Sequence, residues 1–322
     1  MKKIITITLA MSLSLILSGC GGSDSGTETA PEIPSTPDVP ETPDIPTGYE
    51  WNIEQWKITL PISRDEYYGQ GGESAAELIP ADCSGKEWFS NETDLPYFWV
   101  DEHDKRMHFV VNLADKGATT TNSDYVRSEL RELYQYENGN KCSSSNQNWE
   151  ITGRHSLHGQ LQIEQFPTIS GQQPKVIVGQ IHGYEIKQAL VKYQWEGENT
   201  PVRVILNDNF ADNNSSDCGN CQSFSVELAT VAANTPWSYD IVADKTELTL
   251  SMTVNGKTTT KVLPWGVAVE AKDGKKYTLT KDWLNETFYF KAGIYPQIQP
   301  NTTYQNQIFE VSFDKINIEH KN

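Results

Sequence analysis

The sequence predicts an all-β fold, a sandwich or jelly roll of two antiparallel sheets. Three observations predict it. Val, Ile, Thr, Tyr, Phe and Trp recur in short runs of alternating polarity, the pattern of half-buried strands. Clusters of Gly, Asn and Asp separate the runs, as turns require. Long apolar stripes at 3.6-residue spacing, which a helical domain needs, are scarce, and no internal repeat is evident.

The first segment is a targeting sequence. Lys2 and Lys3 precede an apolar run from Ile4 to Leu17, too short to span a bilayer comfortably. The run ends in Leu17-Ser18-Gly19-Cys20, which resembles a bacterial lipobox. The resemblance implies a lipoprotein signal peptide over residues 1–19, cleavage before Cys20 and a lipid on its thiol. Gly21, not Asp, follows Cys20, which in Gram-negative sorting favours the outer membrane. The alternative is an ordinary signal peptide with an incidental cysteine.

Residues 20–50 then read as a tether carrying the lipidated Cys20. Prolines at 31, 34, 37, 40, 43 and 46 fall every third residue. Polyproline II has three residues per turn and rises ~3.1 Å per residue, so such a rod lifts a domain by tens of ångströms. The segment is acidic and holds no Lys or Arg, which keeps it extended and off an anionic surface.

Residues 51–322 form the globular part, long enough to bury one sizeable core. The whole chain carries a net charge of −17; residues 51–322 carry 24 basic and 36 acidic residues, a net −12. Nucleic-acid binding is therefore not expected. Cys83, Cys142, Cys218 and Cys221 are an even set in an exported domain, which suggests two disulfides. Cys218-Gly-Asn-Cys221 could close a small loop, leaving Cys83 to Cys142. A redox or zinc reading of the CxxC lacks a second CxxC or a His pair. Asp212-Asn213-Asn214 could bind calcium but reads more readily as a solvated loop; no metal site and no cofactor is assigned.

Four runs build the functional reading. Trp56-Lys-Ile-Thr-Leu-Pro61 opens the domain as a strand. Tyr125 to Leu133 is ambiguous. As a helix, Arg127 and Arg131 stack at i,i+4 on a solvated face; as a strand, Arg127, Glu129 and Arg131 share a face opposite Val126, Ser128 and Leu130. Pro174 to Gly183 is rich in β-branched residues and reads as a strand, with Gln180 and His182 on one face roughly 7 Å apart.

The fourth run, Tyr289 to Gln297, is the most informative. Phe288, Phe290, Ala292 and Ile294 make one apolar face; Tyr289, Lys291, Gly293, Tyr295 and Gln297 take the other. Two phenols around a cation mark the floor of a binding groove, with Gly293 leaving clearance for a ligand.

Arg127-Ser-Glu-Leu-Arg131, Gln180-Ile-His182 and Tyr289-Phe-Lys-Ala-Gly-Ile-Tyr-Pro-Gln297, in that order, resemble the three signature blocks of polysaccharide lyase family 7, the alginate lyases. The Trp56–Pro61 strand resembles the one that opens that domain. The third block departs from the family pattern at Pro296, where Asn is usual. The resemblance implies a β-jelly roll whose concave sheet forms the groove, and alginate as the partner of a monomeric enzyme.

It also implies roles. A lyase removes the proton on C5 of a uronate and expels the oxygen on C4. Charge must spread into the neighbouring carboxylate, so preorganised donors are needed there; Arg127 and Gln180 are implied. A base and an acid complete the step. His182, with a reference pKa near ~6.5, can be neutral; the phenol of Tyr295, with a reference near ~10, can donate, and a cation such as Arg131 or Lys291 would ease that transfer. In guluronate the C5 proton and leaving oxygen lie on opposite faces, calling for His182 as base and Tyr295 as acid. In mannuronate they share a face, and Tyr295 can do both. Ile181 hints at guluronate-containing blocks. Glu129, Arg131, Lys291, Tyr289 and Gln297 are left for substrate binding or support, with Glu129 orienting Arg127 or Arg131.

Two rivals make different demands. A sandwich-fold glycoside hydrolase needs two carboxylates across the scissile bond, and Glu129 sits between arginines. A polyuronate-binding module could spare both His182 and Tyr295.

Overall fold

Alternating apolar and polar side chains bury themselves only when two sheets place their apolar faces together, and this arrangement is what the computed structural model shows. It describes residues 51–80, 93–121, 123–136 and 147–321. The expected signal peptide and tether, Cys20, Cys83 and Cys142 lie outside the described residues.

The groove sheet runs, edge to edge, β12 (Ser223–Thr230), β11 (Pro201–Asn207), β10 (Ala189–Trp195), β9 (Val176–Gly183), β18 (Thr287–Pro296), β6 (Ser128–Glu132), β1 (Trp56–Ser63) and β2 (Ala75–Leu78), with β7 (Trp149–Glu150) beside the start of β18. The facing sheet runs β15 (Lys257–Pro264), β14 (Glu247–Val254), β13 (Trp237–Ala243), β8 (Arg154–Gln165), β19 (Ile308–Lys321), β5 (Met107–Asn112), β4 (Phe98–Val100) and β3 (Asp94–Leu95). The short pair β16 (Ala268–Glu270) and β17 (Lys276–Thr278) lies apart. The jelly-roll-like sandwich expected from the sequence is thus present, with antiparallel pairing throughout both large sheets.

The core lies between the sheets. Phe288, Phe290, Ala292 and Ile294 of β18 are fully buried there, facing Phe109 and Val111 of β5 and Phe309, Val311 and Phe313 of β19. Tyr239 of β13 spans the gap and donates to the Val178 carbonyl at 3.0 Å. A Cβ at Gly159 or Gly179 would come within 2.5 Å of the Tyr239 side chain, so both glycines are there to admit it.

The ambiguous run resolves as a strand. Helix propensity loses because Ser128–Glu132 is laced on both sides, to β1 and to β18; a row of ladder bonds outweighs local i,i+4 pairs worth only ~0.2–0.5 kcal/mol each. Pro61 falls where the β1–β2 register breaks, between Thr59 and Ser63, a place where a missing donor is tolerated. Past β1 the chain forms a short helix α1 (Arg64–Tyr68) capped by Ser63.

Candidate active site

Three central strands of the groove sheet carry the sequence-derived side chains. Register aligns them: Lys291 of β18 stands opposite Arg131 of β6 on one side and Gln180 of β9 on the other, and Tyr289 stands opposite His182. Their outer face floors a cleft of about 550 Å³ lined by Arg127, Arg131, His182, Tyr289 and Lys291. Gln180 and Glu129 lie beneath that floor, 2% and 1% exposed.

Glu129 is the hub. Its carboxylate accepts from Arg127 Nη1 at 2.8 Å, from Lys291 Nζ and from Gln180 Nε2. Burial alone would push the Glu129 carboxyl up, but the Lys291 and Arg127 charges and the hydrogen bonds from Lys291 and Gln180 overcome it and hold the group below the usual range. Glu129 orients Arg127, one of the two arginines expected. Arg131 instead donates to the carbonyls of Glu132 and Gln147 and to Asn148 Oδ1.

The same burial acts on Lys291 in the opposite sense. Desolvation and the Arg127 charge lower its pKa to about 8 against the pull of Glu129. Phe290, between the two groove residues Tyr289 and Lys291, donates its backbone N–H to Glu132 Oε2 at 2.8 Å. That buried carboxylate also takes Trp149 Nε1 at 2.9 Å and His320 Nε2 at 2.6 Å. The strand is thereby clamped just past the last β6–β18 pair.

His182 is held as a neutral imidazole. Its Nδ1 lies 2.9 Å from the Gly183 carbonyl; a carbonyl only accepts, so Nδ1 carries the proton and Nε2 keeps a lone pair. Burial, then Lys291, lowers the pKa to about 4. The ring stacks on Tyr289 at 5.5 Å. Tyr289 in turn lies under the Arg131 guanidinium, 4.1 Å from its centroid. Burial pushes the Tyr289 phenol up, partly offset by Arg131.

Tyr295 stands farther along β18, opposite Ile177, so His182 and Tyr295 flank the Lys291–Gln180 pair from opposite ends. The cation expected near Tyr295 was Arg131 or Lys291. It is Arg127, whose guanidinium lies 3.8 Å over the Tyr295 ring, because Arg131 and Lys291 are drawn to Tyr289 and Glu129. Ser123 ties this end together: its Oγ is 2.8 Å from Tyr295 Oη and 2.9 Å from Arg127 Nη2.

One residue of the third block behaves differently from expectation. Gly293 gives no clearance to a ligand. Its φ is +115°, and a Cβ there would meet the Ser128 carbonyl at 2.7 Å and Phe109 at 3.0 Å; the residue serves a bulge that shifts the β9–β18 register between Ala292 and Tyr295. Gln297 turns its amide to the Tyr295 and Pro296 carbonyls, both at 3.3 Å. Pro296 ends β18 opposite Val176, and the ladder resumes with Gln297 N–H to Lys175 O at 2.8 Å.

The sequence reading missed Lys57, Thr59 and Glu77, which line the cleft from β1 and β2. Alternation in Trp56-Lys-Ile-Thr-Leu would have found the first two. Asn214 also lines the cleft, where its backbone N–H bonds Glu185 O at 2.7 Å. Ser123 has no sequence signal. Cys218 and Cys221 form the expected small-loop disulfide. Among the described residues no group of three His, Cys, Asp or Glu side chains is placed to hold a metal.

Neither Glu129 nor Glu77 is free to serve as a hydrolytic acid. Glu129 is buried and triply bonded, and Glu77 is held by Lys57 at 2.9 Å; burial raises the Glu77 pKa, but Lys57 brings it below the usual value. What remains is a neutral imidazole, a phenol, and cations fixed in place around an amide. That set suits removal of a proton beside a carboxylate.

Residues 51–320 match the family model described as alginate lyase. Among solved structures, the alginate lyase A1-II′, described as a member of polysaccharide lyase family 7, is 25% identical with a TM-score of 0.54, over 84% of this chain and 96% of its own. An alginate lyase from Klebsiella pneumoniae is 18% identical with a TM-score of 0.59, covering 84% of this chain and 97% of its own. One from Pseudomonas aeruginosa is 22% identical with a TM-score of 0.54, covering 83% and 99%. The last two likenesses are of fold. No curated protein matches the chain.

Proposed function

The chain belongs to the alginate lyase family and is a polysaccharide lyase, and on that premise we propose that His182 and Tyr295 carry out β-elimination on guluronate-containing alginate. The observation that carries the proposal is their placement. A histidine with a free Nε2 and a phenol held by Ser123 flank a pre-paired cluster of Arg127, Lys291 and Gln180.

The uronate carboxylate sits over that cluster. Arg127 has N–H groups beyond those given to Glu129 and Ser123, and the Gln180 amide has a second N–H beyond the one given to Glu129. These stabilise charge as it spreads from C5 into the carboxylate. His182 Nε2 takes the C5 proton. The C5–H electrons form the C4–C5 double bond, the C4–O bond breaks, and Tyr295 gives its proton to the departing oxygen. In mannuronate, where the C5 proton and the leaving oxygen share a face, Tyr295 serves as both base and acid. Lys291, Arg131 and Tyr289 bind the substrate, while Glu129 and Gln297 support.

The product double bond is conjugated to the carboxylate and absorbs in the ultraviolet. Tyr295→Phe is expected to bind alginate without producing that absorbance. His182→Ala is expected to impair polyguluronate cleavage more than polymannuronate cleavage; equal losses would reject this division of labour.

We further propose that a lipid on Cys20 holds the enzyme at the outer membrane, with residues 21–50 as spacer. The Leu17-Ser-Gly-Cys20 run supports this. Cys20→Ala should move the protein from the membrane to the soluble fraction; unchanged partitioning would reject the anchor.

A further inference from the structure

The groove floor continues past the residues assigned so far. Lys57 of β1 stands opposite Arg131 of β6, Arg131 opposite Lys291 of β18, Lys291 opposite Gln180 of β9, and Gln180 opposite Lys192 of β10. Five adjacent strands thus contribute one residue each to a single transverse row, and four of the five are cations. At ~4.8 Å between strands the row spans roughly 19 Å, the length of a short run of sugar units. Three members of the row, Lys57, Arg131 and Lys291, line the cleft; Lys192 stands one strand beyond Gln180.

Lys192 differs from the other cations of the row. Lys57 is matched by Glu77 and Lys291 by Glu129, and Arg131 is held by carbonyls and Asn148. Around Lys192 stand Gln180, whose amide is given to Glu129, and Ile205 directly across on β11. The nearby Arg203 bonds Glu196 at 2.7 Å, and Glu196 also takes the Gln194 amide. No carboxylate among the described residues pairs with Lys192. Burial and the Arg203 charge push its pKa down. A half-buried cation beside another cation, without an anion, costs the empty protein stability, and an incoming anion offsets that cost.

We propose that Lys192 binds the carboxylate of a uronate unit next to the one being cleaved, so that the polymer crosses the strands from Lys57 toward Lys192. The inference rests on alginate as the substrate of this groove. Its chemistry is a charge-assisted hydrogen bond from Nζ to a carboxylate, one strand beyond Gln180.

The test compares the wild-type enzyme with Lys192→Met and Lys192→Arg, following product absorbance on polymeric alginate and on oligomers of decreasing length, together with thermal melting. Lys192→Met is expected to raise KM on the polymer about tenfold, with kcat within about twofold, and to lose that effect on the shortest cleavable oligomer. Its melting temperature should equal or exceed that of the wild type, since an uncompensated cation has been removed. Lys192→Arg should restore KM. An unchanged KM at every length would overturn the proposal, and so would a lowered melting temperature with a parallel fall in kcat, which marks a packing role. Failure of the underlying reading looks different: Tyr295→Phe would stay fully active, whatever the Lys192 variants do.

Discussion

The phenolic oxygen of Tyr295 lies 2.8 Å from Oγ of Ser123. The serine has one proton and two acceptors in reach, Tyr295 Oη and the Tyr125 carbonyl at 3.0 Å. While it donates to Tyr125, it must accept from Tyr295. When its proton turns to Tyr295, the phenol is free to donate into the groove. Ser123 therefore sets the direction of the proposed catalytic proton.

Ser123→Ala should lower kcat about tenfold, at the low end of what a misaligned acid or base costs, with a smaller change in KM. Ser123→Thr, which keeps the hydroxyl, should recover most of it. Steady-state rates from product absorbance check this; a kcat equal to wild type in the alanine variant would remove Ser123 from the mechanism.

Glu129 binds three groove residues at once, so its loss should reach both stability and catalysis. Glu129→Ala leaves Arg127 and Lys291 buried without their anion, a change that costs on the order of 3–5 kcal/mol. Urea denaturation measures it. Glu129→Gln keeps the shape and removes the charge that raises the Lys291 pKa. In that variant the affinity for alginate should begin to fall at a lower pH than in the wild type.

The pH profile follows from two displaced groups. Lys291 loses its charge through about pH 8, so KM should rise there, and Lys291→Arg should abolish the rise. His182 titrates at about 4 in the fold, against ~6.5 when unfolded. As a base it stays competent well below pH 6, placing the acid limb of kcat/KM on polyguluronate far under 6.5. For stability, the unfolded chain binds the extra proton between those values. The contribution is complete above ~6.5 and is lost as pH falls through about 4. Melting temperatures across that window should fall less steeply in His182→Gln; an identical slope would contradict the assignment.

Gly293 belongs to the fold, not to the ligand. Its φ of +115° and the 2.7 Å approach of a would-be Cβ to the Ser128 carbonyl make Gly293→Ala a strained substitution, costing roughly 1–3 kcal/mol or more. The melting temperature should drop. If the variant were instead as stable as wild type but weak in KM, the ligand-clearance role would have to be restored.

The sequence alone determined which side chains share a face. Alternation along 288–297 and 176–183 requires no knowledge of the neighbouring strand, because a β backbone turns successive side chains to opposite sides whatever it pairs with. That was enough to mark Tyr289, Lys291, Tyr295, Gln180 and His182 as one outward-facing set. Only the tertiary structure decided who meets whom. Tyr125 to Leu133 could be helix or strand until β1 and β18 bonded it from both sides. Arg127, not Arg131 or Lys291, came to rest over Tyr295, and Gly293 turned inward, because a one-residue bulge resets register between strands far apart in the chain. Register is a non-local quantity, fixed by packing against the facing sheet; local pattern carries the face of a residue but not its partner.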